Sequence, residues 1–200
     1  MRRRRGPQPD RETAWRTLAS RRGGTIVTDR RKRVKSVSFP AGVWTIVLDN
    51  YTQSHGNSSQ TYTRVRAICF GKDEFRLRMG RRTFLSGLAD WFGRKRVHAG
   101  HPEIEAKWIV KSNSDGRAQS LLMLPAVVHG LHTVRSASVR FEPCRGRRAV
   151  PGTHAVTIAM SGSVSEAARI EGALDLCAAM VDHLVRMGCA RREPVQAGQQ

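Results

Sequence analysis

From Val37 onward the apolar residues of this chain fall at every second position, and that period of two commits most of the chain to a β-sheet. Over residues 43–49, Trp44, Ile46 and Leu48 alternate with Thr45 and Val47. Both sets are apolar or β-prone, as expected of a strand covered on two sides or lying centrally. Residues 61–70, 75–79, 105–112, 137–142 and 154–161 predict further strands. The longest helical pattern comes last: Ser163-Val164-Ser165-Glu166 has capping-box spacing, and Ile170, Leu174, Cys177, Val181 and Leu184 follow on one face until Gly188. Shorter helices are predicted behind Asp10 (with Trp15, Leu18 and Ala19 on one face), over 83–92, and from Ser114 or Asp115 to about residue 124, where Pro125 opens another turn. The expected fold is α+β: an antiparallel sheet of about five to seven strands with helices packed on one side, the long C-terminal helix being the principal cover.

A chain of 200 residues suits one domain with flexible ends. The expected organisation is a basic segment over 1–36 with a short helix and a flexible linker from residue 28, a single α+β domain over 37–188, and a disordered tail over 189–200. No apolar run approaches the roughly 18 residues of a membrane span. The N-terminal Met1-Arg2-Arg3-Arg4-Arg5 is basic like a secretion signal, but Asp10 and Glu12 stand where the apolar stretch should follow, so a cytoplasmic protein is expected. Cys69, Cys144, Cys177 and Cys189 form no C-x-x-C pair, and Cys69 and Cys177 fall at core-facing positions, where a thiol acts as a small hydrophobe.

Charge is the strongest functional signal. Lys and Arg number 35 against 16 Asp and Glu, a net +19, of which +10 lies in the first 35 residues. Both the N-terminal segment and the rest of the chain, which carries the remaining +9, are therefore basic, which favours nucleic acid or another polyanion as partner; an Arg-biased composition that drifted basic would look the same. Burial parity adds a location. If residues 61–70 and 75–79 form a hairpin around Gly71-Lys72-Asp73, then Val65, Ala67 and Cys69 face inward with Phe75, Leu77 and Met79, and Arg66 stands opposite Arg78 with Arg64 beside them. With Arg76, Arg81 and Arg82 these would form an exposed anion-binding face, and Tyr62 on the same side could stack a base or sugar.

Residues 52–60 read as a polar loop too long for a tight turn. If the loop folds back, Asp49, Tyr51, His55, Ser58, Ser59 and Tyr62 could converge into an enzyme site, although no G-x-S-x-G turn or complete phosphate-binding loop marks a reaction. His98 with His101 and His129 with His132 make two H-x-x-H pairs, but no third ligand stands at recognisable spacing, so neither a metal nor another cofactor is expected.

The block Trp44-Thr45-Ile46-Val47-Leu48-Asp49-Asn50-Tyr51-Thr52, continued by Ser58-Ser59 and Thr61-Tyr62-Thr63-Arg64-Val65-Arg66-Ala67, resembles a family of bacterial proteins of unknown function. The resemblance extends from the Trp15 helix to the last helix and implies no activity. The expected function is a non-enzymatic binding or adaptor protein that engages an anionic partner through the arginine face. The alternatives are an enzyme centred on residues 49–62 and a structural subunit whose sheet face is covered by a partner.

Overall fold

The alternation seen in the sequence becomes a sheet with one greasy and one polar side. A computed structural model describes residues 10–55, 58–81, 97–134, 136–146 and 149–192. In chain order these form α1 (Arg11–Arg22), β1 (Thr25–Thr28), β2 (Val34–Ala41), β3 (Trp44–His55), β4 (Ser58–Gly71), β5 (Leu77–Arg81), α2 (Pro102–Lys107), β6 (Trp108–Ser112), α3 (Asp115–Leu122), α4 (Pro125–Thr133), β7 (Ala137–Pro143), β8 (Thr153–Ser161), α5 (Ala167–Arg186) and β9 (Ala190–Arg191). The strands make one antiparallel sheet in the order β1-β2-β3-β4-β8-β7-β5-β6, with β9 paired to β4. The fold is thus α+β as expected, and the nine strands among the described residues exceed the expected number because β1, β2 and β9 join the six predicted ones; three segments depart from their expected form.

Those three segments are instructive. Residues 28–36, read as a linker, close β1 and open β2; Asp29 holds the turn by accepting hydrogen bonds from the backbone N–H of Arg31 and Arg33 at 2.8 and 2.9 Å. Residues 52–60, read as a long loop, continue β3 and β4 to the pair His55 and Ser58, so that only Gly56 and Asn57 intervene. Ala190 and Arg191, read as tail, pair with Gly71 and Phe70. The expected strand over 105–112 is divided, because Pro102 starts a helical turn that runs to Lys107 before β6. The helix expected over 83–92 lies outside the described residues.

On the inner side Ile46, Leu48, Val65, Ala67, Leu77, Val139, Phe141, Val156 and Ile158 meet Ile170, Leu174, Cys177 and Val181 of α5 in a single core cluster that also takes Trp15 and Leu18 of α1. The start of α5 departs from the capping-box expectation: its first helical residue is Ala167, and no side chain caps it. Before the helix, Thr63 Oγ1, buried within the sheet, holds the approach by accepting from the Val164 N–H at 2.8 Å and donating to the Gly162 carbonyl at 2.9 Å. Trp15 Nε1 donates to the Val164 carbonyl at 3.1 Å, tying α1 to the same corner. Gly188, with φ of 74°, turns the chain out of α5 as expected.

Cys69 and Cys177 are fully buried in the core. Loss of hydration on burial pushes both thiols up to about 12. Neither should form a thiolate in the folded state at pH 8, whereas Cys144 is only half-buried. Mass spectrometry after brief iodoacetamide treatment is expected to find Cys144 modified first and Cys69 and Cys177 modified only after unfolding; early modification of either core cysteine would contradict this packing.

Candidate anion-binding groove

The outer side of the sheet carries three transverse rows of side chains, fixed by strand register. The first row runs Arg66 (β4), Thr157 (β8), Arg140 (β7), Arg78 (β5) and Lys111 (β6). The second runs Asp49 (β3), Arg64, Ala159, Ser138, Gly80 and Ile109. The third holds Tyr51 and Tyr62, cross-strand partners whose rings stack at 5.3 Å and 16°, and beyond them Ser161 and Ser136.

Row composition makes a groove. Ala159, Ser138 and Gly80 are too small to fill their row, so the sheet surface sinks between the cationic row and the tyrosine row. The resulting groove has a volume of about 140 Å³ and is lined by Arg78, Arg140 and Lys111 on one side and Tyr51, Tyr62, Ser136 and Ser161 on the other. From β3 to β6 it crosses five strand spacings, about 24 Å. Ser136 stands in the left-handed region with φ of 53°, an uncommon conformation for a non-glycine residue.

Charge is unevenly spent on this face: Arg78, Arg140 and Lys111 line the groove, while Asp49, Arg64 and Arg66 lie in the same rows outside its lining. Arg64 gives Asp49 a bidentate pair, Nε to Oδ1 at 2.8 Å and Nη2 to Oδ2 at 2.6 Å, and the carboxylate raises the guanidinium's pKa further. Arg78 is paired to Glu142. Arg66, Arg140 and Lys111 make no ion pair with any described residue, and the Arg66 Nε is buried without a hydrogen-bond partner. Arg140 sits directly opposite Arg78 on the neighbouring strand, a like-charge juxtaposition that the Glu142 carboxylate on Arg78 offsets. Tyr51 is pushed above the ordinary phenol range by burial, although the charges of Arg140 and Arg64 pull the other way. Its hydroxyl therefore stays protonated at neutral pH and can both donate and accept.

The expected arginine face is only partly the one found. Strands β4 and β5 are not neighbours, because β8 and β7 lie between them. Arg66 therefore faces Thr157 rather than Arg78. Arg64, Arg66 and Arg78 still share the outer side, since inward and outward positions alternate along each strand whatever its neighbour. Arg76 precedes β5 and pairs with Glu74 at 2.9 Å. Arg81 is two residues beyond the inward-facing Met79 and opposite the buried Trp108, and its guanidinium lies 5.4 Å from that ring's centre, away from the groove. Arg82 lies outside the described residues. Arg140 and Lys111 were not singled out from sequence; each alternates with buried neighbours, which marks it as outward-facing, but only the strand order places it beside Arg78.

The residues expected around a polar loop are strung along the β3–β4 hairpin. Asp49 is held by Arg64, Tyr51 and Tyr62 reach the groove, and the backbones of His55 and Ser58 pair at the hairpin's far end with Ser59 beside them. Of the histidine pairs, His98 Nδ1 is 3.7 Å from Glu105 and His132 Nε2 is 2.9 Å from Glu103. Among the described residues no group of three or more His, Cys, Asp or Glu is placed to hold a metal ion, and no helix is long and apolar enough to cross a membrane.

No protein-family model matches the chain, and no curated protein matches it. Among solved structures, the mycobacterial trehalose monomycolate transport factor A, TtfA, is similar at 12% identity over 94% of this chain and 99% of that one, with a TM-score of 0.45.

Proposed function

We propose that this protein is a binding module whose outer sheet face engages an anionic partner in the groove between the Arg66–Lys111 row and the Tyr51–Tyr62 pair. The observation that carries this reading is the imbalance of the cationic row: of Arg66, Arg140, Arg78 and Lys111, the three other than Arg78 have no carboxylate partner among the described residues. Glu142 answers the charge of Arg78, so it is Arg66, Arg140 and Lys111 that an anionic guest would neutralise. Guanidinium forks suit phosphate and carboxylate oxygens. The same charge argues against a second copy docking face to face, since the rows would repel. A binding role in the cell interior, and kinship with the bacterial family that the Trp44–Ala67 block resembles, belong to the same reading.

An enzyme reading is weaker, because Asp49, the acid nearest the tyrosines, already spends both oxygens on Arg64. Retention on immobilised heparin over a salt series tests the proposal. The protein is expected to bind and to elute with rising salt, and a variant carrying Arg66→Gln, Arg140→Gln and Lys111→Gln is expected to elute earlier. Both proteins keep the same basic N-terminus, so the difference isolates the face. Elution of the two at the same salt, or binding that ignores salt, would remove it.

A further inference from the structure

We infer that the occupant of this groove is a single strand of nucleic acid, its backbone following the cationic row and a base resting against Tyr62; the inference rests on the anion-binding reading above. Three features of the groove narrow the chemistry. The first is shape. It runs about 24 Å across the sheet between rows only four residues apart, about 13 Å, which suits one extended chain and leaves no room for a duplex. A compact anion would use a fraction of that length.

The second feature is the distribution of charge along that length. Arg66, Arg140 and Lys111 stand two strands apart in turn, with the Glu142-paired Arg78 between the last two, so unpaired positive charge recurs at about 10 Å intervals in one line. A linear polyanion with a regular repeat meets such a line; a single carboxylate or phosphate does not need it. The third is what faces the line. Tyr51 and Tyr62 are stacked side by side on adjacent strands, with the Arg64 guanidinium 5.0 Å from the centre of the Tyr51 ring. Tyr62 Oη is occupied by Gln60 at 2.8 Å, which fixes the ring rather than leaving it to rotate. Aromatic rings on an open antiparallel sheet, bordered by cations, are the arrangement by which such sheets stack unpaired bases. The Ser138 hydroxyl between the two walls, and those of Ser136 and Ser161 on the tyrosine side, can meet sugar or base edges, and small residues admit a chain close to the sheet. An acidic polypeptide would also answer the charge, but it would have no use for the tyrosine pair.

Fluorescence anisotropy with labelled single-stranded oligothymidylate and oligouridylate of about twelve residues tests this on the full chain, against duplex DNA and polyglutamate of matched charge at one ionic strength. The single strands are expected to bind at least about tenfold more tightly than duplex or polyglutamate, and a preference for either DNA or RNA supports the inference. Tyr62→Ala is expected to weaken oligonucleotide binding by roughly five- to hundredfold with the salt dependence unchanged, while Tyr62→Phe, which keeps the ring, retains the affinity. Arg140→Gln should instead flatten the plot of log K against log salt by about 0.7. Equal binding of polyglutamate and oligonucleotides, or indifference to Tyr62→Ala, would overturn the nucleic-acid assignment and leave the anion reading standing. Failure to bind any of the polyanions would overturn both.

Discussion

Asp49→Asn is expected to lower stability and raise anion affinity in the same molecule. Asp49 and Arg64 are the only ion pair within the second row, and their side chains retain 18% and 26% exposure, so water screens the pair only in part. The carboxylate accepts two charge-assisted hydrogen bonds from Arg64. An amide of the same shape offers one acceptor and no charge, which leaves a half-buried guanidinium short of a partner. Removing one member of a well-buried pair costs about 3 to 5 kcal/mol, and with this exposure a loss of about 1 to 3 kcal/mol is expected. The affinity change has the opposite sign. Arg64 lies against Tyr51 at the mouth of the groove, and its fork, once released, can be offered to the ligand. A gain of up to about fivefold follows, less than the tenfold that 1.4 kcal/mol would bring. Urea denaturation and anisotropy on one protein preparation read the two effects. Should affinity fall along with stability, Arg64 serves only to hold the hairpin, and the ligand does not reach the second row.

How much of this was legible beforehand depends on which structural level is asked. Alternation along single strands was readable, because burial parity is a local property: Val65, Ala67 and Cys69 point inward and Arg64 and Arg66 outward as expected. Strand order was not. Placing β8 and β7 between β4 and β5 requires the long-range pairs of Arg64 with Ala159 and Ser138 with Gly80, and nothing local in the 61–79 stretch separates that arrangement from a simple hairpin. The like-charge contact expected between Arg66 and Arg78 consequently exists between Arg140 and Arg78 instead. Arg81 departs from its expected place for a different reason: parity counted from Met79 puts it inward, and grouping it with the outward arginines follows charge rather than period. The polar stretch 52–60 misled because Thr, Gln and Ser without apolar alternation resemble a loop, although a two-residue Gly-Asn connection is a known hairpin signal. The groove itself had no sequence signature. Ala159, Ser138 and Gly80 are unremarkable small residues until the register lines them up across three strands.

Small residues also mark where the helical layer is least tolerant. Gly130 of α4 faces α5 so closely that a Cβ there would lie 2.7 Å from Leu176 Cβ, and Gly172 of α5 meets Thr133 of α4 even more tightly. The two contacts are reciprocal, a glycine on each helix receiving a side chain from the other, so neither helix can withdraw without losing the second contact. Gly130→Leu is expected to destabilise the protein by about 3 kcal/mol or more, the upper end of overpacking costs, because the obstruction is the root of a side chain on a rigid helix. Gly130→Ala should cost less, since Ala recovers up to about 1 kcal/mol of helix propensity against the clash. Gly116→Ala in α3 provides the contrast. Nothing lies within 4 Å of a Cβ built there, so the propensity gain is unopposed and stability should rise by a few tenths of a kcal/mol. Urea midpoints for the three variants are therefore expected in the order Gly116→Ala, Gly130→Ala, Gly130→Leu, with wild type just below the first. An unchanged midpoint for Gly130→Leu would mean that α4 and α5 do not cross at these glycines, and the cover over β3, β4 and β8 would have to be packed differently.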